Sequence, residues 1–160
     1  MVADLRRAGP ADAAAVCDLT RAAYAKWAPL FGREPPPMAE DYDRVVRDDP
    51  VDLLFVGEEL AALVWMIVHP DHLLIESLAV APAHQGRGYG HRLLAHAEAF
   101  AADQGLVVAR LYTNRLFAAN IELYRRAGYA IDREEPFWGG IKVHMSKRIE
   151  PKGSRGQSSL

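Results

Sequence analysis

Blocks of apolar residues, some alternating with polar ones and some uninterrupted, punctuate this chain, and their spacing predicts its elements. Leu5 to Ala8 reads as a short first strand closed by Gly9-Pro10. From Pro10 or Ala11 to about Ala28, the residues Val16, Leu19, Ala23 and Trp27 recur at helical spacing and face a core. Pro29 stops that helix. The prolines Pro35, Pro36 and Pro37 forbid regular hydrogen-bonded structure, so 29–38 reads as a stiff surface loop. A second, shorter helix fits Ala39 to Arg47. Val51 to Val56 and Leu60 to Val68 are rich in β-branched and aromatic residues and flank Gly57-Glu58-Glu59, which predicts an antiparallel hairpin. His69-Pro70-Asp71 then turns the chain into a strand, Leu73 to Val80.

After that strand comes Gln85-Gly86-Arg87-Gly88-Tyr89-Gly90, and then a helix from about Gly90 to Gln104 whose apolar stripe is Leu93, Leu94, Ala97, Phe100 and Ala101. A strand that feeds a glycine-rich turn and then a helix leaves backbone N–H groups uncovered at the positive end of a helix dipole worth about half an elementary charge. That arrangement binds anions, phosphates above all. Leu106 to Tyr112 is the next strand and, with a helix between, the parallel neighbour of Leu73 to Val80. Leu116 to Ala127 is helical with Gly128 as its cap, and Tyr129 to Arg133 and Ile141 to Lys147 are the last strands. The resulting fold class is α/β with mixed character: a central twisted mixed sheet of about seven strands flanked by about four helices.

Composition narrows the picture without changing it. Half of the 160 residues are apolar and a quarter charged, as in a soluble globular protein, and a single domain over 1–149 is expected, with 150–160 a mobile tail. A formal net charge of −2 gives no reason to expect a nucleic-acid or membrane partner. No apolar run approaches the roughly 20 residues of a membrane span, and the first residues lack a signal-peptide core, so a cytoplasmic location follows. The single cysteine, Cys17, excludes an intrachain disulfide and reads as a small buried or half-buried residue. The six histidines show no metal-ligand spacing, so no metal is expected and solvated surface is the default for most of them. A Walker loop would need a Gly-Lys-Ser/Thr end, and a dinucleotide fingerprint an acidic residue about 20 positions on, where this chain has Ala109 and Arg110.

Leu78-Ala79-Val80-Ala81-Pro82 followed by Gln85 to Gly90, together with Asn120 to Tyr124 ahead of Ala127-Gly128-Tyr129, resembles the GNAT superfamily of acetyl-coenzyme A dependent N-acetyltransferases. The first motif matches that family's Gln/Arg-x-x-Gly-x-Gly/Ala signature, and the resemblance runs from Leu5 to about Lys147. It implies acetyl-coenzyme A as cosubstrate, its pyrophosphate held by the N–H groups of Gly86, Arg87, Gly88, Tyr89, Gly90 and His91, with Gln85 and Arg87 bordering it. It also implies that main-chain groups of Leu78, Ala79 and Val80 bond the pantetheine arm as if it were a strand, Leu78 or Val80 facing the thioester oxygen. A homodimer through the C-terminal strands, with Phe137-Trp138 as an apolar patch, is a further implication. The alternative is a coenzyme A binding module without transfer activity.

Acetyl transfer from a thioester to an amine needs a neutral amine, a stabilised oxyanion and a proton for the departing thiolate. Tyr124 stands four residues after Asn120 on one helical face, in phase with Leu123 and Ala127 and turned inward. The resemblance makes Tyr124 the general acid and Asn120 a pantetheine contact. Glu76 alternates in register with Leu74, Leu78 and Val80, a carboxylate on an otherwise apolar strand face. Such a group needs a partner or a task. As a general base, direct or through water, it would deprotonate a lysine-like amine at a cost of roughly 4 to 5 kcal/mol at pH 7, against about 1 for an α-amine. Tyr24, Trp27, Phe31, Arg33, Glu34 and Met38 shape the acceptor side in the family's manner: mostly aromatic, with one charge of each sign, fitting a small or peptide amine.

Overall fold

A computed structural model describes residues 3–25, 40–137 and 140–150. Among them are seven strands and four α-helices: β1 Ala3–Arg7, α1 Ala13–Tyr24, α2 Tyr42–Asp48, β2 Val51–Val56, β3 Glu59–Val68, β4 Leu73–Val80, α3 Tyr89–Asp103, β5 Val108–Asn114, α4 Ala118–Arg126, β6 Ala130–Phe137 and β7 Gly140–Arg148. The strands are ordered β1-β2-β3-β4-β5-β7-β6 in one mixed sheet, with β4 and β5 parallel as the sequence predicts. The expected proline loop at 29–38, with Trp27, Phe31, Arg33, Glu34 and Met38, lies outside the described residues, as do Trp138 and the tail at 151–160. No described helix is long and apolar enough to cross a membrane.

The chain groups into two compact units, and β4 and α3 each pass from one to the other. The first unit takes Met1–Met66 and Glu76–Leu93. Here β1 pairs with β2 and β2 with β3, both antiparallel, with a register shift at Leu54/Phe55. Ala81 N–H donates to Ala61 O at 2.8 Å, tying the far end of β4 to the start of β3. Leu53, Leu54, Ala61, Leu63, Val64, Val16 and Val45 are buried, which explains why β2 and β3 read as nearly unbroken apolar runs. A 3-10 turn over Pro10–Asp12 precedes α1, because Asp12 turns back to accept the Gly9 N–H at 2.8 Å. α2 is capped by Asp41, whose carboxylate accepts from Asp43 N–H and Arg44 N–H.

The second unit takes Ile67–Ile75 and Leu94–Leu160. β5 pairs antiparallel with β7, and β7 with β6, leaving β6 exposed along most of its length at the edge. Of the boundaries that differ from the sequence reading, three have a plain local reason. β5 starts at Val108 because Leu106 N–H is spent on Ala101 O at 2.9 Å, finishing α3. α4 starts at Ala118 because Asn114 Oδ1 accepts the Leu116 N–H at 2.9 Å and holds a turn there. β6 runs on through Asp132-Arg133-Glu134-Glu135, charges that hide a strand from hydropathy; an edge strand tolerates them, and Arg115 pairs with Glu134 and Arg133 with Glu135.

Candidate functional site

The glycine stretch forms the turn that its sequence foretells. Gly86 and Gly88 have φ of 79° and 83°, the left-handed region that disfavours any side chain. A Cβ at either would meet nothing within 4 Å, so the turn is open to solvent rather than packed against its own chain. The first bond within α3 runs from Arg92 N–H to Gly88 O at 3.1 Å, which leaves Tyr89, Gly90 and His91 N–H before the helical ladder begins. Gln85 is turned back, its Nε2 donating to Val80 O at 3.2 Å, so it braces the turn against the end of β4. Arg87 is exposed, with Nη1 3.3 Å from His84 Nδ1.

β4 alternates cleanly: Leu73, Ile75, Ser77 and Ala79 are buried, and Leu74, Glu76, Leu78 and Val80 half-buried. This alternation puts Glu76 on one face with Leu78 and Val80, as expected. The ladder to β5 comprises Leu73↔Ala109, Leu74↔Arg110 and Ile75↔Leu111, so nothing from Glu76 to Val80 is in register with β5. The last five residues of β4 thus carry the Leu78, Ala79 and Val80 main chain without that ladder.

Tyr24, at the end of α1, comes together with Glu76. Its phenol is pushed up from its ordinary range chiefly by loss of solvent; the Ser77 hydroxyl partly offsets this, and the nearby Glu76 charge adds to it. Ser77 Oγ is buried close to that phenol. Tyr42, also buried, has its phenol raised in the same way by burial, with Thr20 bonded to it and Tyr24 adjacent. Thr20 Oγ1 donates in turn to Val16 O at 2.8 Å. Sequence reasoning missed Ser77, Thr20 and Tyr42. Ser77 is the most legible of these in retrospect, being a hydroxyl on the buried phase of an apolar strand.

In the second unit, Tyr124 is 6% exposed and is the buried residue of α4, while Asn120 is half-buried on the same face. Its ring stands edge-on to Tyr129 at 6.4 Å, and Tyr129 N–H donates to Tyr124 O at 3.0 Å. Tyr129 is itself locked: its hydroxyl donates to Glu98 Oε2 at 3.0 Å, and Lys147 Nζ donates to Glu98 Oε1 and to Ala127 O, both at 2.8 Å. Burial and then the Glu98 carboxylate hold the Tyr129 phenol protonated far above its usual range. The Lys147–Glu98 pair was not anticipated, since its two members are 49 residues apart with no local signal.

The histidines are less solvated than expected: His91 is exposed, His69, His72, His96 and His144 are half-buried, and His84 is buried. His84 is 5% exposed, its ring tucked between Arg87 and Tyr89. Only the three-dimensional path of the turn reveals this. Of the acceptor-side residues, Tyr24 is described and stands beside Glu76, whereas Trp27, Phe31 and Glu34 fall outside the described residues.

The chain is similar to known proteins in part of its sequence and in its fold. Streptothricin acetyltransferase of Streptomyces lavendulae is 41% identical over 60 residues, a match that takes in 38% of this chain and only 32% of that protein. Among solved structures, the PaiA N-acetyltransferase of Thermoplasma acidophilum in complex with coenzyme A has a TM-score of 0.80 at 17% identity, covering 93% of this chain and all (100%) of that one. The ribosomal-protein-S18-alanine N-acetyltransferase of Escherichia coli has a TM-score of 0.77 at 19% identity, covering 95% of this chain and 97% of that one. At such identities the likeness establishes the fold alone. Family follows from sequence: the model of the Acetyltransferase (GNAT) family matches residues 14–129, well over half the chain and inclusive of the glycine turn, and the chain belongs to that family.

Proposed function

We propose that this protein transfers the acetyl group of acetyl-coenzyme A to a primary amine by direct attack within a ternary complex. The observation that carries the reading is the open turn at Gly86 and Gly88, with the N–H groups of Tyr89, Gly90 and His91 ahead of the helical ladder. Those N–H groups bind the pyrophosphate. The pantetheine arm lies along the part of β4 beyond Ile75 that is out of register with β5, bonding the main chain of Leu78, Ala79 and Val80, with Asn120 a further contact. One N–H, from Leu78 or Val80, receives the thioester oxygen as negative charge develops there.

Glu76 takes the amine proton, directly or through a water, and the Tyr24 phenol beside it borders the acceptor. The neutral amine attacks the thioester carbon, the C–N bond forms, and collapse of the tetrahedral intermediate breaks the C–S bond. Tyr124 gives its hydroxyl proton to the departing thiolate. Trp27, Phe31 and Glu34 complete the acceptor side, and the partial match to a streptothricin acetyltransferase puts streptothricin first among small acceptors to try. A homodimer through the C-terminal strands belongs to the same proposal and is read by light scattering.

The test is release of coenzyme A thiol from acetyl-coenzyme A across a panel of amines: streptothricin, polyamines, amino acids, and peptides with free N-termini or lysines. Amine-dependent release is expected for at least one class. Tight coenzyme binding with silence across the panel would favour a binding module instead.

A further inference from the structure

His84 sits in the connection between β4 and α3, and its side chain is nearly sealed from solvent at 5% exposure. The 3-10 turn over Pro82–His84 fixes it, with His84 N–H donating to Ala81 O at 2.8 Å. Arg87 Nη1 is 3.3 Å from Nδ1. A guanidinium has donors only, so Nδ1 must accept, and the ring proton resides on Nε2. There Glu59 Oε1 stands at 3.2 Å but outside bonding geometry, and Nε2 is one of the buried polar atoms of the described residues without a hydrogen-bond partner. Tyr89, the first residue of α3, covers the ring at 6.2 Å between centroids. A buried imidazole whose one engaged nitrogen points at an exposed arginine beside the glycine turn is an expensive arrangement to maintain for packing alone.

We infer that His84 is a positioning residue for coenzyme binding: its Nδ1 holds the Arg87 guanidinium at the rim of the turn, aligned for a phosphate oxygen. One of the guanidinium's five donors is engaged by the ring, and the others stay available to the ligand. A flexible surface arginine loses conformational freedom on meeting a phosphate; one already held has less to lose. The Glu59 carboxylate, 3.2 Å from Nε2, favours by its charge a proton on that nitrogen and so favours Nδ1 as the acceptor. The inference rests on the proposed reading of the turn as the pyrophosphate site.

Calorimetric titration of coenzyme A into the wild type, His84→Phe, His84→Asn, Arg87→Gln and the His84→Phe/Arg87→Gln double variant tests it. Phenylalanine keeps a buried ring and removes the acceptor; asparagine keeps an acceptor near the place of Nδ1. His84→Phe is expected to weaken coenzyme A binding about tenfold, as for the loss of an aligned charge-assisted contact, and His84→Asn to restore most of it. In the Arg87→Gln background His84→Phe should cost nothing further. Losses that add in the double variant, or equal losses in the Phe and Asn variants, would show a packing role and overturn the inference. So would a His84→Phe variant that binds like the wild type. Nitrogen NMR of the unsubstituted imidazole reads the tautomer independently of any folding defect: a proton on Nε2 is expected, and one on Nδ1 overturns the inference. A wild type that does not bind coenzyme A at all would instead overturn the reading of the turn, and this inference with it.

Discussion

Replacing Gly88 by alanine separates the turn's conformation from its packing. At φ 83° an L-residue suffers the left-handed penalty of about 1–2 kcal/mol, and since an added Cβ meets nothing within 4 Å, no clash adds to it. Alanine also restricts the unfolded chain, which returns about 0.4–1 kcal/mol. The net loss of stability is therefore between about 0 and about 1.6 kcal/mol, a fall in Tm of at most about 3–6 °C for a chain of this size. Binding should suffer more than folding. An exposed turn relieves its strain by letting φ go negative, which swings the following N–H groups off the anion, and the coenzyme must then restore the strained form. Restoring it costs the same 1–2 kcal/mol, a loss of about 5- to 30-fold in affinity. Gly105, at the end of α3, supplies the control, with φ 79° and equally open space around a Cβ. Gly105→Ala should lose a similar Tm and leave coenzyme A affinity unchanged. Calorimetry against coenzyme A, paired with thermal melts, reads both quantities. Equal coenzyme affinity for the two variants would refute the claim that the Gly88 conformation serves the ligand.

Tyr124→Phe is expected to cut kcat by about 10²–10⁴ with coenzyme A affinity nearly constant; near wild-type turnover removes Tyr124 from the mechanism. Glu76→Gln should shift the acid limb of the pH–rate profile, most for a lysine-like acceptor, and an unmoved profile would exclude it as the base. Asp12 is held at about 2, against an ordinary 3.8, first by its bond from Arg6 and then by the Gly9 N–H. Its contribution is therefore complete above pH about 4 and lost as pH falls through about 2. Because Arg6 is half exposed (52%), the shift discounts to about 1 kcal/mol, so Asp12→Asn should cost about that at pH 7 and little below pH 2 in denaturant titrations.

The strands and helices built on strong apolar periodicity were legible in the sequence. β4 matches its expected bounds because Gly and Pro clusters delimit it on both sides and its alternation is regular. β6 was read short because a strand whose neighbours tolerate charge shows no period that hydropathy can detect. In the candidate site, the glycine turn was legible because positive φ demands glycine, and Tyr124 because a phenol on an inward helical face stands out. His84 was not, since it is buried by the path of a turn that its neighbours do not encode, whereas Ser77 left a signal, a hydroxyl on the buried phase of β4. The Glu98–Lys147 pair depends on strand order, which brings β7 beside β5 ahead of β6.

Direct transfer from acetyl-coenzyme A to an amine in a ternary complex requires that no acetyl-protein intermediate forms. Its most direct test follows an isotope-labelled acetyl group by mass spectrometry in a single turnover, with and without an accepted amine. The label should stay on coenzyme A until amine is present and then pass wholly to the amine nitrogen, with none retained by the protein. Label on the protein in the absence of amine, or none on any amine despite bound acetyl-coenzyme A, would contradict it.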